Sequence, residues 1–281
     1  KRSSASWLED QDFWRFSGIF RDVFLYAAPS AHVRDIRVIA DYDGTNGIFS
    51  ATLDIAGKCS VKSILTDENG TVIAESNEKE SVNWTIENSK PWSAEIPNLY
   101  TFTVILTDES GNEIEISRTK VGFRRFELKN GIMCLNGKRI IFKGINRHEF
   151  DAKTGRAITK EDMLFDIQFM KKNNINAVRT CHYPNNSLWY QLCDAYGIYL
   201  IDETNLETHG TWQKLGATDP SWNVPGSLPE WKEAVLDRAK SMYERDKNHA
   251  SVLIWSCGNE SYCGEDIAAM SEYFRSVDPT R

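Results

Sequence analysis

The stretch Ser251-Val252-Leu253-Ile254-Trp255-Ser256-Cys257-Gly258-Asn259-Glu260-Ser261 opens with an apolar run and closes on a carboxamide and a carboxylate. A short apolar run of this kind is the pattern of a strand buried on both faces. Gly258 then lets the backbone turn, which puts Asn259-Glu260 just past the carboxyl end of the strand. That is where α/β enzymes place their chemistry. Asn-Glu alone reads equally well as a solvated βα loop, so the decision rests on the rest of the chain.

Three further strand ends have the same character. Ile140 to Ile145 predicts a buried strand ending in Asn146-Arg147-His148. Thr159 with Asp162 then predicts a capped helix carrying Met163, Ile167 and Met170 at a period of about 3.6 residues. Ile175 to Thr180 reads as a strand ending in Cys181-His182-Tyr183-Pro184, with a helix from Ser187 to Ala195. Ile198 to Glu203 leads into Thr204-Asn205-Leu206-Glu207-Thr208-His209-Gly210, and a long loop with Trp212, Trp222 and Pro225 precedes a helix from Pro229 to Arg245. The quoted strand is the fourth, and Asp266 to Ser276 is its helix. Four βα units in series predict a parallel sheet with right-handed crossovers. A polar cluster follows each strand, as on the catalytic face of a (β/α)₈ TIM barrel, of which residues 126–281 would be the first half.

Upstream the pattern changes. Residues 31–125 read as all-β: Ile36-Arg37-Val38 and Ala51 to Ile55 alternate, and paired strands flank Asp67-Glu68-Asn69-Gly70 and Glu109-Ser110-Gly111-Asn112. Short strands at this spacing predict an immunoglobulin-like β-sandwich. Residues 1–30 hold an acidic, aromatic loop and then a strand over Gly18 to Tyr26, expected to be the tail of another sandwich. With no initiator Met and an end just after a helix, the chain is expected to be an internal piece of a longer protein.

Composition excludes some classes. A net charge of -7 leaves no basic stripe for nucleic acid. No apolar run approaches membrane-spanning length, and no signal peptide is visible. None of the six cysteines forms a C-x-x-C pair, so buried free thiols in a reducing compartment, the cytoplasm, are expected. Nine Trp and ten Tyr are core filler first, though such rings also stack on sugars.

Among the polar clusters, Glu207 and His209 stand at i, i+2, so an extended backbone points both the same way. With Glu260 they offer two oxygens and a nitrogen, a set suited to Mg²⁺ or Mn²⁺; taken alone, they are solvated loop residues. His148 and His182 could converge to bind polar substrate groups or could be ordinary hydrogen-bonded histidines. Arg179, within an apolar strand, requires an anionic or carbonyl partner, either a catalytic carboxylate or a structural ion pair. Trp212 and Trp222 could line a sugar pocket or pack their loop.

At these residues the chain resembles the β-galactosidases of glycoside hydrolase family two. The similarity runs in order through Trp7 to Arg15, Trp92 to Tyr100, Gly144 to Glu149, Cys181 to Asn185, Asp202 to Gly210 and Trp255 to Ser261. The Glu207-Thr208-His209-Gly210 run separates it from β-glucuronidases and β-mannosidases. The resemblance implies that Glu260 is the general acid/base and that Asn259 binds the sugar 2-hydroxyl. It implies that Glu207, His209 and Glu260 surround Mg²⁺, that His148 and His182 contact the galactosyl unit, and that Arg179 supports the nucleophile. Asp12 would reach in from a preceding jelly-roll-like sandwich to bind galactose hydroxyls and a Na⁺. Departures lie at Phe150, Cys181 and Tyr262-Cys263. The family nucleophile lies on a later barrel strand, so the chain alone is expected to be inactive toward β-galactosides such as lactose. The parent is expected to be a homo-oligomer, and this piece to self-associate through an exposed half-barrel. The rival readings are a non-catalytic carbohydrate-binding scaffold and a hydrolase for another sugar, glucuronide or mannoside.

Overall fold

The computed structural model describes residues 3–12, 14, 16, 18–209 and 224–281. A single helical turn, α1 (Ala5–Leu8), comes first. Residues 18–26, expected as a strand, form none, and Ile19, Val23, Phe24, Leu25 and Tyr26 are exposed. An extended apolar segment becomes a strand only when another backbone pairs with it, and none of the described residues does.

Seven strands then build a two-layer sandwich: β1 (His32–Tyr42), β2 (Gly47–Ala56), β3 (Ser60–Thr66), β4 (Val72–Ser76), β5 (Ser81–Ile86), β6 (Tyr100–Thr107) and β7 (Glu113–Val121). The layers are β1-β2-β5 and β4-β3-β6-β7, antiparallel throughout. Alternation decides which side chains enter the core: along β6, Tyr100, Phe102, Val104 and Leu106 are buried and their neighbours are less so. Phe49 packs between Trp84 of its own layer and Phe102 of the facing one. The two hairpins that the turn residues foretold are built alike. Asp67 accepts from the N–H groups of Asn69 and Thr71, Asp108 from those of Ser110 and Asn112, and Gly70 and Gly111 both take φ 83°.

A small sheet, unforeseen, joins the sandwich to the parallel α/β unit: β8 (Phe126–Lys129), β9 (Ile132–Leu135) and β10 (Lys138–Arg139), in the order β10-β9-β8. Its turns are Asn130-Gly131 and Asn136-Gly137, all four residues with positive φ, the two-residue hairpin signal.

The α/β unit is a parallel sheet with its helices: β11 (Gly144–Asn146), α2 (Lys160–Lys172), β12 (Ala177–Arg179), α3 (Ser187–Tyr196), β13 (Tyr199–Glu203), α4 (Pro229–Asp246), β14 (Val252–Ser256) and α5 (Glu265–Val277). Strand order follows chain order, β11-β12-β13-β14, every pair parallel. Thr159 caps α2 in a reciprocal box with Asp162, and Met163, Ile167 and Met170 are buried beneath it. One expectation needs correcting. β11 is shorter than the Ile140 to Ile145 run and is not buried; Ile141 is 57% and Ile145 38% exposed. Its apolar residues suit a strand flanked on both sides, whereas here only β12 pairs with it. β11 and β14 are thus the sheet's two edges among the described residues.

The sandwich grips the sheet from below. Fully buried Trp92 donates its Nε1–H to the Asp194 carbonyl of α3 at 2.8 Å and meets the Tyr199 ring edge-on. Arg124 donates from Nε to Ala250 O at 2.6 Å and from Nη2 to Val252 O at 2.8 Å, holding the start of β14. Asn248 exchanges bonds with Ile36 O and Val38 N of β1. Truncating Trp92 would remove the largest of these contacts. We expect Trp92→Ala to lower unfolding free energy by about 3–5 kcal/mol in urea titration, with native far-ultraviolet dichroism retained before the transition. A loss below about 1 kcal/mol would show that the two units do not stabilise each other through this residue.

Candidate active site

The carboxyl ends of the four parallel strands meet at one face, and His148, Arg179, His182, Glu207, His209, Asn259 and Glu260 gather there. The stretch from Ser251 to Ser261 turns where glycine predicts. Gly258 has φ 127°, and a Cβ there would lie 2.6 Å from Leu206 O, so the turn admits only glycine. The next N–H, that of Asn259, donates to the same Leu206 carbonyl at 2.9 Å. This laces the loop after β14 to the loop after β13 and sets Asn259 beside Glu207, where its Nδ2 donates to Glu207 Oε1 at 2.7 Å.

Glu207 and His209 do face the same way, with His209 Nδ1 3.1 Å from Glu207 Oε1. On its other side His209 Nε2 pairs closely with Glu260 Oε2. Burial disfavours an imidazolium at His209, but the Glu260 hydrogen bond and the Glu207 charge outweigh it and raise its pKa. Glu207 is fully buried, and burial raises its pKa against the Asn259 hydrogen bond. Its Oε2 has no hydrogen-bond partner among the described residues. One ligand atom from each of Glu207, His209 and Glu260 lies within 4.8 Å of the others. An orphaned buried carboxylate oxygen beside an imidazole and a second carboxylate fits a hard divalent cation.

The centre of the face is a residue to which the sequence alone assigns no role. Glu203, at the end of β13, is fully buried and accepts from Arg179 Nε, His182 Nδ1 and Ser256 Oγ, each at 2.6 Å. Its own N–H donates to Thr180 Oγ1 at 2.9 Å. Burial works against its charge, yet the three hydrogen bonds hold its pKa below the ordinary carboxylate value. The signal is present in part: Arg179 within an apolar strand requires an anionic or carbonyl partner, and the Glu203 carboxylate is the anion it meets among the described residues. Arg179 also donates from Nη2 to Asn259 Oδ1 at 3.0 Å, so Glu203 orients Asn259 through it.

His148 and His182 converge, their rings 5.5 Å apart and nearly perpendicular. Burial, then the neighbouring His182 and Arg156 charges, lower the pKa of His148, while Asp12 opposes them. Asp12 itself is exposed, and its charge also pushes Glu207 upward. It reaches this face because residues 8–10 run parallel to Glu207, with Glu207 N donating to Leu8 O and Asp10 N to Glu207 O, both at 2.8 Å. Trp212, Trp222 and Gly210 lie outside the described residues.

Two family models match consecutive parts of the chain. Glycosyl hydrolases family 2 covers residues 31–124, and the family's TIM barrel domain covers residues 126–281. The chain belongs to glycosyl hydrolase family 2. Family 2 relatives similar to it include a "Beta-galactosidase" of Clostridium acetobutylicum, 62% identical over all of this chain and 32% of its own length. A "Beta-galactosidase" of Halalkalibacterium halodurans is 58% identical over all of this chain and 29% of its own length. The chain thus spans about a third of the relatives it matches. In fold it is similar to the solved β-D-glucuronidase of Dictyoglomus thermophilum, with a TM-score of 0.82 and 26% identity over 90% of this chain and 43% of that one.

Removing the Glu203 charge should uncouple the three strand ends. We expect Glu203→Gln to cost about 3 kcal/mol near neutral pH, because Arg179 and His182 lose their anion. Since the folded-state pKa of Glu203 is depressed, its stabilisation is complete above about pH 4.5 and fades as pH falls through the folded value. The difference in Tm between wild type and variant should therefore shrink on acidification. A difference that stays constant from pH 7 to about pH 3 would refute this role for the charge.

Proposed function

We propose that this chain carries the acid/base half of a retaining β-galactosidase site. Support comes from the convergence of Glu260, Asn259, Glu207, His209, His148 and His182 at one strand-end face and from the names of the relatives at 62% and 58% identity. A retaining glycosidase needs two carboxyl groups about 5–5.5 Å apart. Glu260, half exposed at the mouth, takes the first role. It gives its proton to the glycosidic oxygen as the bond to the anomeric carbon breaks, then takes one from the water that completes hydrolysis. The second carboxyl, which attacks the anomeric carbon, comes from outside these residues. Glu203 is unsuited to it, since three donors already occupy its oxygens.

Asn259, clamped by Arg179 and Glu207, presents its amide to the sugar 2-hydroxyl. His148 and His182 bind galactosyl hydroxyls, and Asp12, exposed at the same mouth, adds a contact to them and to a Na⁺. Glu207, His209 and Glu260 would hold Mg²⁺ or Mn²⁺. When bound, that ion would supply positive charge beside Glu260 and steady its position; it would also favour the ionised carboxylate. The compartment is the cytoplasm, in keeping with six free cysteines. No helix among the described residues is long and apolar enough to cross a membrane. The whole protein is a homo-oligomer, and this chain alone self-associates through the β11 and β14 edges.

The test uses the chain by itself and joined to its missing segments. The joined protein should hydrolyse an aryl β-galactoside in preference to the glucuronide and mannoside. Glu260→Gln should then lower kcat/KM about 10²–10⁴-fold, and chelation of divalent ions should lower it as well. The isolated chain should show no turnover. Sugar binding without hydrolysis by the joined protein would favour a scaffold, and preference for the glucuronide would move the specificity toward that of the solved structural neighbours.

A further inference from the structure

A second group of ligand atoms lies at the same mouth, and its thiol is used by no step above. Cys181 Sγ and one ring nitrogen from each of His148 and His182 all fall within 4.8 Å of one another. Oxygen-rich Glu207-His209-Glu260 suits a hard cation, whereas a thiolate with two imidazoles suits a soft one. The surroundings resemble a prepared metal site. His182 gives its Nδ1 to the buried Glu203 carboxylate at 2.6 Å, the carboxylate–histidine arrangement that fixes the tautomer of a metal-binding imidazole. His148 Nδ1 lies 3.4 Å from the Tyr183 hydroxyl. Around the group stand the acidic Asp12, Glu203 and Glu207 and the basic Arg156, Arg179 and His209.

We infer that His148, Cys181 and His182 form a site for a thiophilic divalent cation, Zn²⁺ in nature and Co²⁺ as its probe, which closes the sugar pocket when filled. The closing half rests on the glycosidase reading; the metal site itself does not. Filling it converts the Cys181 thiol to a metal-bound thiolate and releases one proton to solvent per ion bound. Cys181 is 1% exposed, so an ion would enter past the half-buried histidines.

The test titrates Co²⁺ into the 281-residue chain in excess Mg²⁺, which occupies hard sites but not thiolates. The expected result is a thiolate-to-cobalt charge-transfer band with tetrahedral ligand-field absorption, saturating at one ion per chain. Cys181→Ser should abolish the charge-transfer band, and Cys257→Ser and Cys263→Ser should leave it. Should Cys181→Ser lose its native circular dichroism, His148→Gln with the thiol intact must weaken Co²⁺ binding by about tenfold or more. Absence of the band in the wild type, or its survival in a folded Cys181→Ser, would overturn the site. Isopropyl β-thiogalactoside should compete with Co²⁺; a sugar that binds without displacing the ion overturns the closing half alone.

Discussion

A single buried carboxylate organises the strand-end face. Glu203 gathers a guanidinium from β12, an imidazole from the turn after it and a hydroxyl from β14, all at 2.6 Å. A carboxylate taken out of water is costly unless every lone pair finds a donor; here the donors come from β12, the turn after it and β14, on either side of β13, so the charge can be satisfied only when those three strands are in register. The same constraint spreads outward. Arg179, held by Glu203, holds Asn259; Asn259 holds Glu207; Glu207 and Glu260 flank His209. Hydrogen bonds to a charged partner are the stronger kind, so the positions of the polar side chains follow from one electrostatic requirement in the sheet.

The sandwich contributes from the opposite direction. Its role is mechanical, and it is carried by buried groups that a solvent-facing surface would not need: the Trp92 indole under α3, and the Arg124 guanidinium on the carbonyls at the start of β14. Fixing the amino end of β14 fixes where its carboxyl end falls, and hence where Gly258 turns. Support and the candidate site thus sit at the two ends of the same strand.

Much of this was legible from residues alone, for reasons that differ by element. The two layers of the sandwich followed from alternation and from Asp-x-x-Gly and Gly-Asn turns, since both are local rules. The helices followed from spacing and from the Thr159 cap. Asn130-Gly131 and Asn136-Gly137 carry an equally local hairpin signal, and between them they make a whole sheet. β11 and residues 18–26 failed for another reason: an apolar run declares what it could pair with, not whether a partner is present. In the site, spacing brought Glu207 to His209, but the hub at Glu203 was hidden. Nothing local distinguishes a carboxylate that meets three donors from one that meets water, and the donors lie 21, 24 and 53 residues away.

The bridge between Glu9 and Glu207 bears on the order of assembly. Its partners are separated by nearly the whole length of the segment that folds between them. Closing a loop of about 200 residues costs about 2 kcal/mol more than closing one of about 20, and contacts of such long range form late. The sheet and its Glu203 hub can form from neighbouring units, whereas the outer rim, with Asp10 against His209 and Asp12 at the mouth, waits for the amino-terminal segment to return. The rim is therefore the part of the face with the least local support behind it. A ligand that engages it stabilises the last docking step of folding, so occupancy of the site and persistence of the native chain are thermodynamically linked.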